Sequence, residues 1–125
     1  MKLILLFLML IPVSSIANSE MRLACENLSK IANENSLQYG TKYAFKVQGL
    51  KGTRVHFHSA PSKYCVNKNL FIIPNDSVIA YQEFINENQQ WFYAKYIDKD
   101  GNDHNGWFLQ ENFKLTGSIS TTLTP

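Results

Sequence analysis

From Tyr43 to Leu115 the chain breaks into short apolar–polar runs, each ended within a few residues by turn formers. Side chains in an extended chain alternate faces, so such runs read as strands with one face buried. Tyr43, Phe45 and Val47 alternate with Ala44 and Lys46, and Gly49 and Gly52 follow. Val55 and Phe57 alternate with His56 and His58 until Ala60-Pro61-Ser62, where proline disfavours further pairing. Leu70 to Ile73 stops at Pro74-Asn75-Asp76, and Val78 to Phe84 alternates up to the polar turn Asn86 to Gln90. Trp91 to Ile97 is an aromatic-rich strand, Asp98 to Asn105 a loop, and Gly106 to Leu109 the last long strand. Gln110-Glu111-Asn112 fits one tight helical turn before Phe113-Lys114-Leu115. Five or six short strands with frequent turns predict a mainly β fold, a small barrel over residues 38–115.

The N-terminal segment has a different logic. Lys2 precedes the apolar run Leu3 to Ile11, and Ser15 and Ala17 are small residues at the −3 and −1 positions of a cleavage site. That run is too short for a membrane span, which needs roughly 20 residues. Residues 1–17 therefore read as a signal peptide, and the product as periplasmic or secreted. Residues 18–37 read as an amphipathic helix: Met21, Cys25, Leu28, Ile31 and Ala32 form one stripe, with Asn18 or Ser19 as cap. The Ser/Thr-rich stretch 116–125 reads as a flexible tail.

Loss of residues 1–17 removes Lys2 and leaves 11 basic against 10 acidic side chains, a net charge of +1. A near-neutral chain has no general attraction for nucleic acid. The charges are uneven, however. Residues 38–75 carry Lys42, Lys46, Lys51, Arg54, Lys63 and Lys68 without an acid, whereas residues 76–112 carry seven acids against only Lys95 and Lys99. Cys25 and Cys65 are an even pair in an oxidising compartment, which favours a bridge between them over two separate thiols. Arg22 stands where a lipid-attachment motif before Cys25 would have a small or apolar residue.

The order of these pieces resembles a bacterial SH3-like (SH3b) domain over roughly residues 53–115. His56-Phe57-His58-Ser59-Ala60-Pro61-Ser62 stands where such domains carry an LNVRSGPS-like run. Trp91 to Ala94 matches their W-x-K-V strand, and Gly106-Trp107-Phe108 their GWV strand. His58 and Ala60 depart from the usual arginine and glycine, and Asn75-Asp76 replaces the usual glycine turn. The resemblance implies a small SH3-like barrel preceded by one helix, and a binding role, with no ligand specified.

Several constellations carry side chains capable of chemistry. His56 and His58 share one side of a strand, but no third metal ligand is fixed beside them. Asp98-x-Asp100-x-Asn102 opens like a calcium loop, yet Asp103 and Leu109 stand where glycine and a bidentate acid belong. Paired carboxylates, a nucleophile elbow and a phosphate loop are all missing, so the chain reads as a non-enzyme without cofactor. The aromatics carry the binding expectation. Phe92 and Ala94 should face the core, leaving Trp91 and Tyr93 on the other face, with His58, Tyr64 and Trp107 nearby in a groove. The expected partner is a cell-wall peptide or glycan. The alternative is a periplasmic protein, a toxin or hydrolase, that the chain would inhibit.

Overall fold

The computed structural model describes residues 13–119, with side chains from 18 to 118. The apolar run Leu3 to Ile11 lies outside the described residues. Helix α1 spans Val13–Asn35 and is followed by seven strands: β1 (Leu37–Val47), β2 (Val55–His58), β3 (Val66–Ile72), β4 (Ser77–Asn86), β5 (Gln89–Ile97), β6 (Asp103–Leu109) and β7 (Phe113–Ile119). Single 3-10 turns at Lys63–Cys65 and Gln110–Asn112 lead into β3 and β7.

The strands form one antiparallel sheet in the order β3-β2-β6-β5-β4-β1-β7, with β3 and β7 as its two edges. The fold is mainly β with one helix, as the alternation implied, but it has seven strands instead of five or six, in an open sheet. Every strand contributes to one buried cluster, including Phe45, Val55, Ile72, Val78, Phe92, Phe108 and Phe113. Phe92 is its centre, with ring centroids 4.6 Å from Phe45, 4.9 Å from Phe113 and 6.1 Å from Phe108. Gly106 lets β2 approach β6, because a Cβ there would sit 3.0 Å from the Phe57 ring and 3.3 Å from the His58 carbonyl oxygen.

Two sequence expectations change at the ends. The helix begins before Asn18 and Ser19, which are interior positions of α1 instead of caps. The expected tail is partly strand: Ser118 pairs with Tyr43 and Gly117 with Ala44. The register shifts between Ala44 and Phe45, leaving Thr116 unpaired in the ladder. Its hydroxyl instead donates to the Ala44 carbonyl at 3.1 Å. A polar edge strand needs no apolar side chains when its backbone is paired.

Helix α1 lies on the outer face of the sheet. Cys25 bonds to Cys65 with Cα atoms 5.7 Å apart, closing a 40-residue separation. Beside the bridge Cys25, Leu28, Ala60 and Cys65 pack together. Further along, Ala32 packs with Trp91 and Trp107. At the helix end the buried Gln82 side chain donates to the Asn33 side-chain oxygen Oδ1 at 3.0 Å.

Candidate binding site

Alternation assigns the faces of β5: Phe92 and Ala94 lie in the inner cluster, and Trp91 lies on the opposite side. That opposite side is not a groove. Trp91 and Trp107 are both buried, because α1 covers them through Ala32. Trp91 donates its indole N–H to the Asn86 carbonyl at 3.2 Å. The indole nitrogen of Trp107 is buried without a partner among the described residues. The expected role of these two tryptophans as exposed ligand platforms is therefore corrected: their area is already used to seat the helix.

His58 and Tyr93 border the same covered layer. His58 is half-buried, its ring 4.9 Å from Trp91 and edge-on to it. Its Nδ1 lies 3.2 Å from the Trp107 carbonyl oxygen, and since a carbonyl only accepts, Nδ1 carries the proton. Burial lowers the His58 pKa below its usual 6.5 despite that hydrogen bond. Tyr93 is half-buried against Trp107 at 5.4 Å, and burial raises its phenol pKa.

Tyr64 is placed differently. It is 61% exposed on the turn between β2 and β3. The turn is held from several sides. Ser59 N–H donates to the Cys65 carbonyl at 2.9 Å, and Cys65 N–H to the Ser62 carbonyl at 3.0 Å. Ser62 Oγ accepts from Tyr64 N–H at 3.2 Å and donates to a Glu87 carboxylate oxygen at 2.9 Å. The other Glu87 oxygen accepts from Lys63 N–H at 3.0 Å. Asn86 donates its amide to the Pro61 carbonyl at 2.9 Å. The β4–β5 hairpin tip thus clamps this turn. Glu87 reaches it from a left-handed backbone, φ 56°, next to Asn88 at φ 58°, as a two-residue hairpin turn of this hand requires.

Between this turn and α1 opens a cleft of about 610 Å³. Met21, Val66 and the disulfide form its apolar walls, and Arg22, Glu26 and Lys68 its charged rim. The Lys63 ammonium lies 5.1 Å from the centre of the Tyr64 ring at its mouth. An aromatic plate beside two cations and one carboxylate can hold a short peptide carrying both carboxylates and an amine.

The remaining polar constellations are internally engaged. Asp98 Oδ2 lies 2.9 Å from His104 Nε2, and Asp98 Oδ1 accepts from the amides of Asp100 and Asn102, each at 2.9 Å. These bonds hold the Asp98 carboxyl below its ordinary value, the His104 contact most. The segment is a self-capped hairpin loop. Among the described residues no three His, Cys, Asp or Glu side chains converge on a point that could hold a metal ion. Tyr39 donates to Glu83 at 2.9 Å, and its phenol pKa is raised by burial and by that carboxylate.

Of the five aromatic and histidine positions singled out, the structure gathers His58, Trp91, Tyr93 and Trp107 under and beside α1, and sets Tyr64 apart on the cleft. Sequence reasoning missed Arg22, Glu26 and Lys68 as Tyr64's companions. The signal for them was the cysteine pair itself, which brings the middle of the helix to the turn after β2. Comparison with protein-family models, curated proteins and solved structures finds no match to this chain.

Proposed function

We propose that this chain is an exported, non-catalytic binding module of the SH3b-like kind, recognising a peptide of the cell wall through the Tyr64 cleft. One observation carries the reading: Tyr64 is an exposed aromatic on a turn clamped by the Glu87 carboxylate, beside Arg22 and Lys68. Rigid aromatics with a polar tip lose little freedom on binding. Wall stem peptides carry carboxylates and amines, matching the charges of the rim. The Cys25–Cys65 bridge supports export, since such bonds persist in oxidising compartments. The single core shared by all seven strands supports the SH3-like reading, with β1 extended and β7 added to the expected strands.

The test is co-sedimentation of the disulfide-bonded protein with purified peptidoglycan, beside a Tyr64→Ala variant. Pelleting of the native protein that falls at least tenfold in the variant supports the cleft. Failure of the native protein to pellet removes the wall reading.

A second reading is an inhibitor of a periplasmic toxin or hydrolase. It is favoured by Leu23 and Ile31 on α1 and Leu37 just after it, which are exposed although the helix is pinned at its middle and near its C-terminal end. Recovery of one stoichiometric protein partner from periplasmic extract, lost on Leu23→Asp, separates it from the first.

A further inference from the structure

The connection between β1 and β2 ends in an exposed leucine. Gly49 and Gly52 both have positive φ, and Thr53 N–H donates to the Leu50 carbonyl at 3.0 Å, closing a tight turn. Leu50 at its tip is 85% exposed. Beside it, at the end of edge strand β3, Phe71 is 36% and Ile73 50% exposed. Gly49 and Lys51, on either side of Leu50, share a depression of about 640 Å³ with Phe71, Ile73, Arg54 and Pro74. The depression shares Gly49, Pro74 and Asn75 with a shallower hollow that carries Lys46 and Lys114. Those two lysines are partners across β1 and β7.

The charged residues that line the two hollows are all cations. Lys51 and Arg54 line the depression with Phe71 and Ile73, Lys46 and Lys114 line the adjoining hollow, and among the described residues none of the four is in an ion pair. Asp76, beside the patch, is engaged by the Ile73 amide at 2.9 Å. The Arg54 guanidinium lies 4.6 Å above the Phe71 ring, so its stem covers apolar surface while its head stays in water. An apolar patch beside unpaired cations calls for an occupant that is both apolar and anionic.

The residue types decide between occupants. Protein hot spots favour tryptophan, tyrosine and arginine, and interfaces are depleted in lysine. Here the apolar residues are leucine, isoleucine and phenylalanine, three of the four cations are lysines, and the most exposed residue projects from a loop tip. That composition belongs to surfaces that enter the headgroup layer, with lysines meeting phosphates.

We propose that this end of the sheet docks on an anionic phospholipid surface, with Leu50, Phe71 and Ile73 in the interface and Lys46, Lys51, Arg54 and Lys114 against the headgroup phosphates. The attachment is peripheral: no helix among the described residues is long and apolar enough to cross a membrane. It goes beyond the Tyr64 cleft and does not depend on it.

The test is sedimentation of the protein with vesicles of phosphatidylglycerol and phosphatidylethanolamine, against vesicles of phosphatidylcholine alone. Binding is expected to the anionic vesicles only, weakening as salt rises. Leu50→Ser lowers the partition coefficient about tenfold, the effect of withdrawing one leucine side chain from an apolar layer. The double variant K51E/R54E abolishes pelleting. Ile85→Ser, at the far end of β4 and equally conspicuous at 72% exposed, leaves binding unchanged. Both positions are on the surface, so circular dichroism is expected to be native. Equal binding to neutral vesicles, equal loss in Ile85→Ser, or no pelleting of the native protein would each overturn the proposal. So would poly-glutamate binding as tightly as the vesicles with Leu50→Ser unaffected, which would reassign the surface to an acidic protein.

Discussion

The two faces of the sheet are stabilised in different ways. The inner face closes on one cluster to which all seven strands contribute, so each side chain has neighbours from several elements. The outer face is covered by α1 at a few points: the bridge at Cys25, Ala32 on the tryptophans, and the Gln82–Asn33 hydrogen bond. A lone helix of this length is marginal in water unless its face is docked. The inner face thus defines the fold, whereas the outer face decides whether the Tyr64 cleft has a second wall.

The largest effect should come from the inner face. Phe92→Ala removes the ring that meets Phe45, Phe108 and Phe113, and large core truncations of this kind cost about 3–5 kcal/mol. Equilibrium urea unfolding is expected to show that loss, with all probes moving together. A change below about 1 kcal/mol would mean that the cluster is not one cooperative unit.

Cutting the bridge sharpens the contrast. In the chain-entropy account, a loop of roughly 40 residues gains about 4 kcal/mol from closure, and measured values are commonly about 2–4 kcal/mol. The pair Cys25→Ser with Cys65→Ser should lower global stability by that order. It should also raise hydrogen exchange first in α1, before the strands exchange. Uniform loss of protection in helix and sheet would dissolve the distinction between the faces.

The inner face was far more legible in the sequence than the outer one. Val55 to His58 and Trp91 to Ile97 declare their faces because period-two alternation is a local property, and the sheet supplies it directly. The stripe Met21, Cys25, Leu28, Ile31 and Ala32 also has the right period, but only Cys25, Leu28 and Ala32 turn inward, and Met21 and Ile31 are exposed. Periodicity says that a helix has an apolar side, not which surface it will meet. Trp91 departs from expectation for the same reason: facing away from the inner core is not the same as facing solvent. Strand β7 was missed because Thr116, Gly117 and Ser118 pair through their backbones, which composition does not reveal.

A smaller effect probes the joint between the faces. Glu87 adopts its left-handed backbone while its carboxylate ties the hairpin tip to Ser62 and Lys63. Glu87→Ala keeps the unfavourable backbone and loses both bonds, which should cost about 1–2 kcal/mol. Glu87→Gly restores backbone freedom without the carboxylate, and should recover part of the stability but not the order of the Tyr64 turn. Nuclear magnetic resonance order parameters at Tyr64 would separate the two. If Glu87→Gly restores both, the backbone and not the carboxylate holds the turn.

The smallest effect is a pH dependence confined to the covered layer. Burial against Trp91 lowers the His58 pKa in the folded protein below the 6.5 of the free side chain. As pH falls, the unfolded chain takes up the proton first, so the folded state loses stability from about pH 6.5 downward. The loss levels off once pH passes below the depressed folded value. Above pH 6.5 both states are neutral at this position and His58 contributes no slope. Asp98, whose pKa is lowered from 3.8, acts in a separate, more acidic window, so the two do not overlap. Thermal melting between about pH 7.5 and about pH 5 should therefore show a decline that His58→Asn removes, since asparagine can keep a donor toward the Trp107 carbonyl without titrating. Protonation adds a charge at the edge of the layer that α1 covers, so helix exchange should rise with acid before strand exchange does. An unchanged slope in His58→Asn would place the pH sensitivity elsewhere and leave the outer layer indifferent to this histidine.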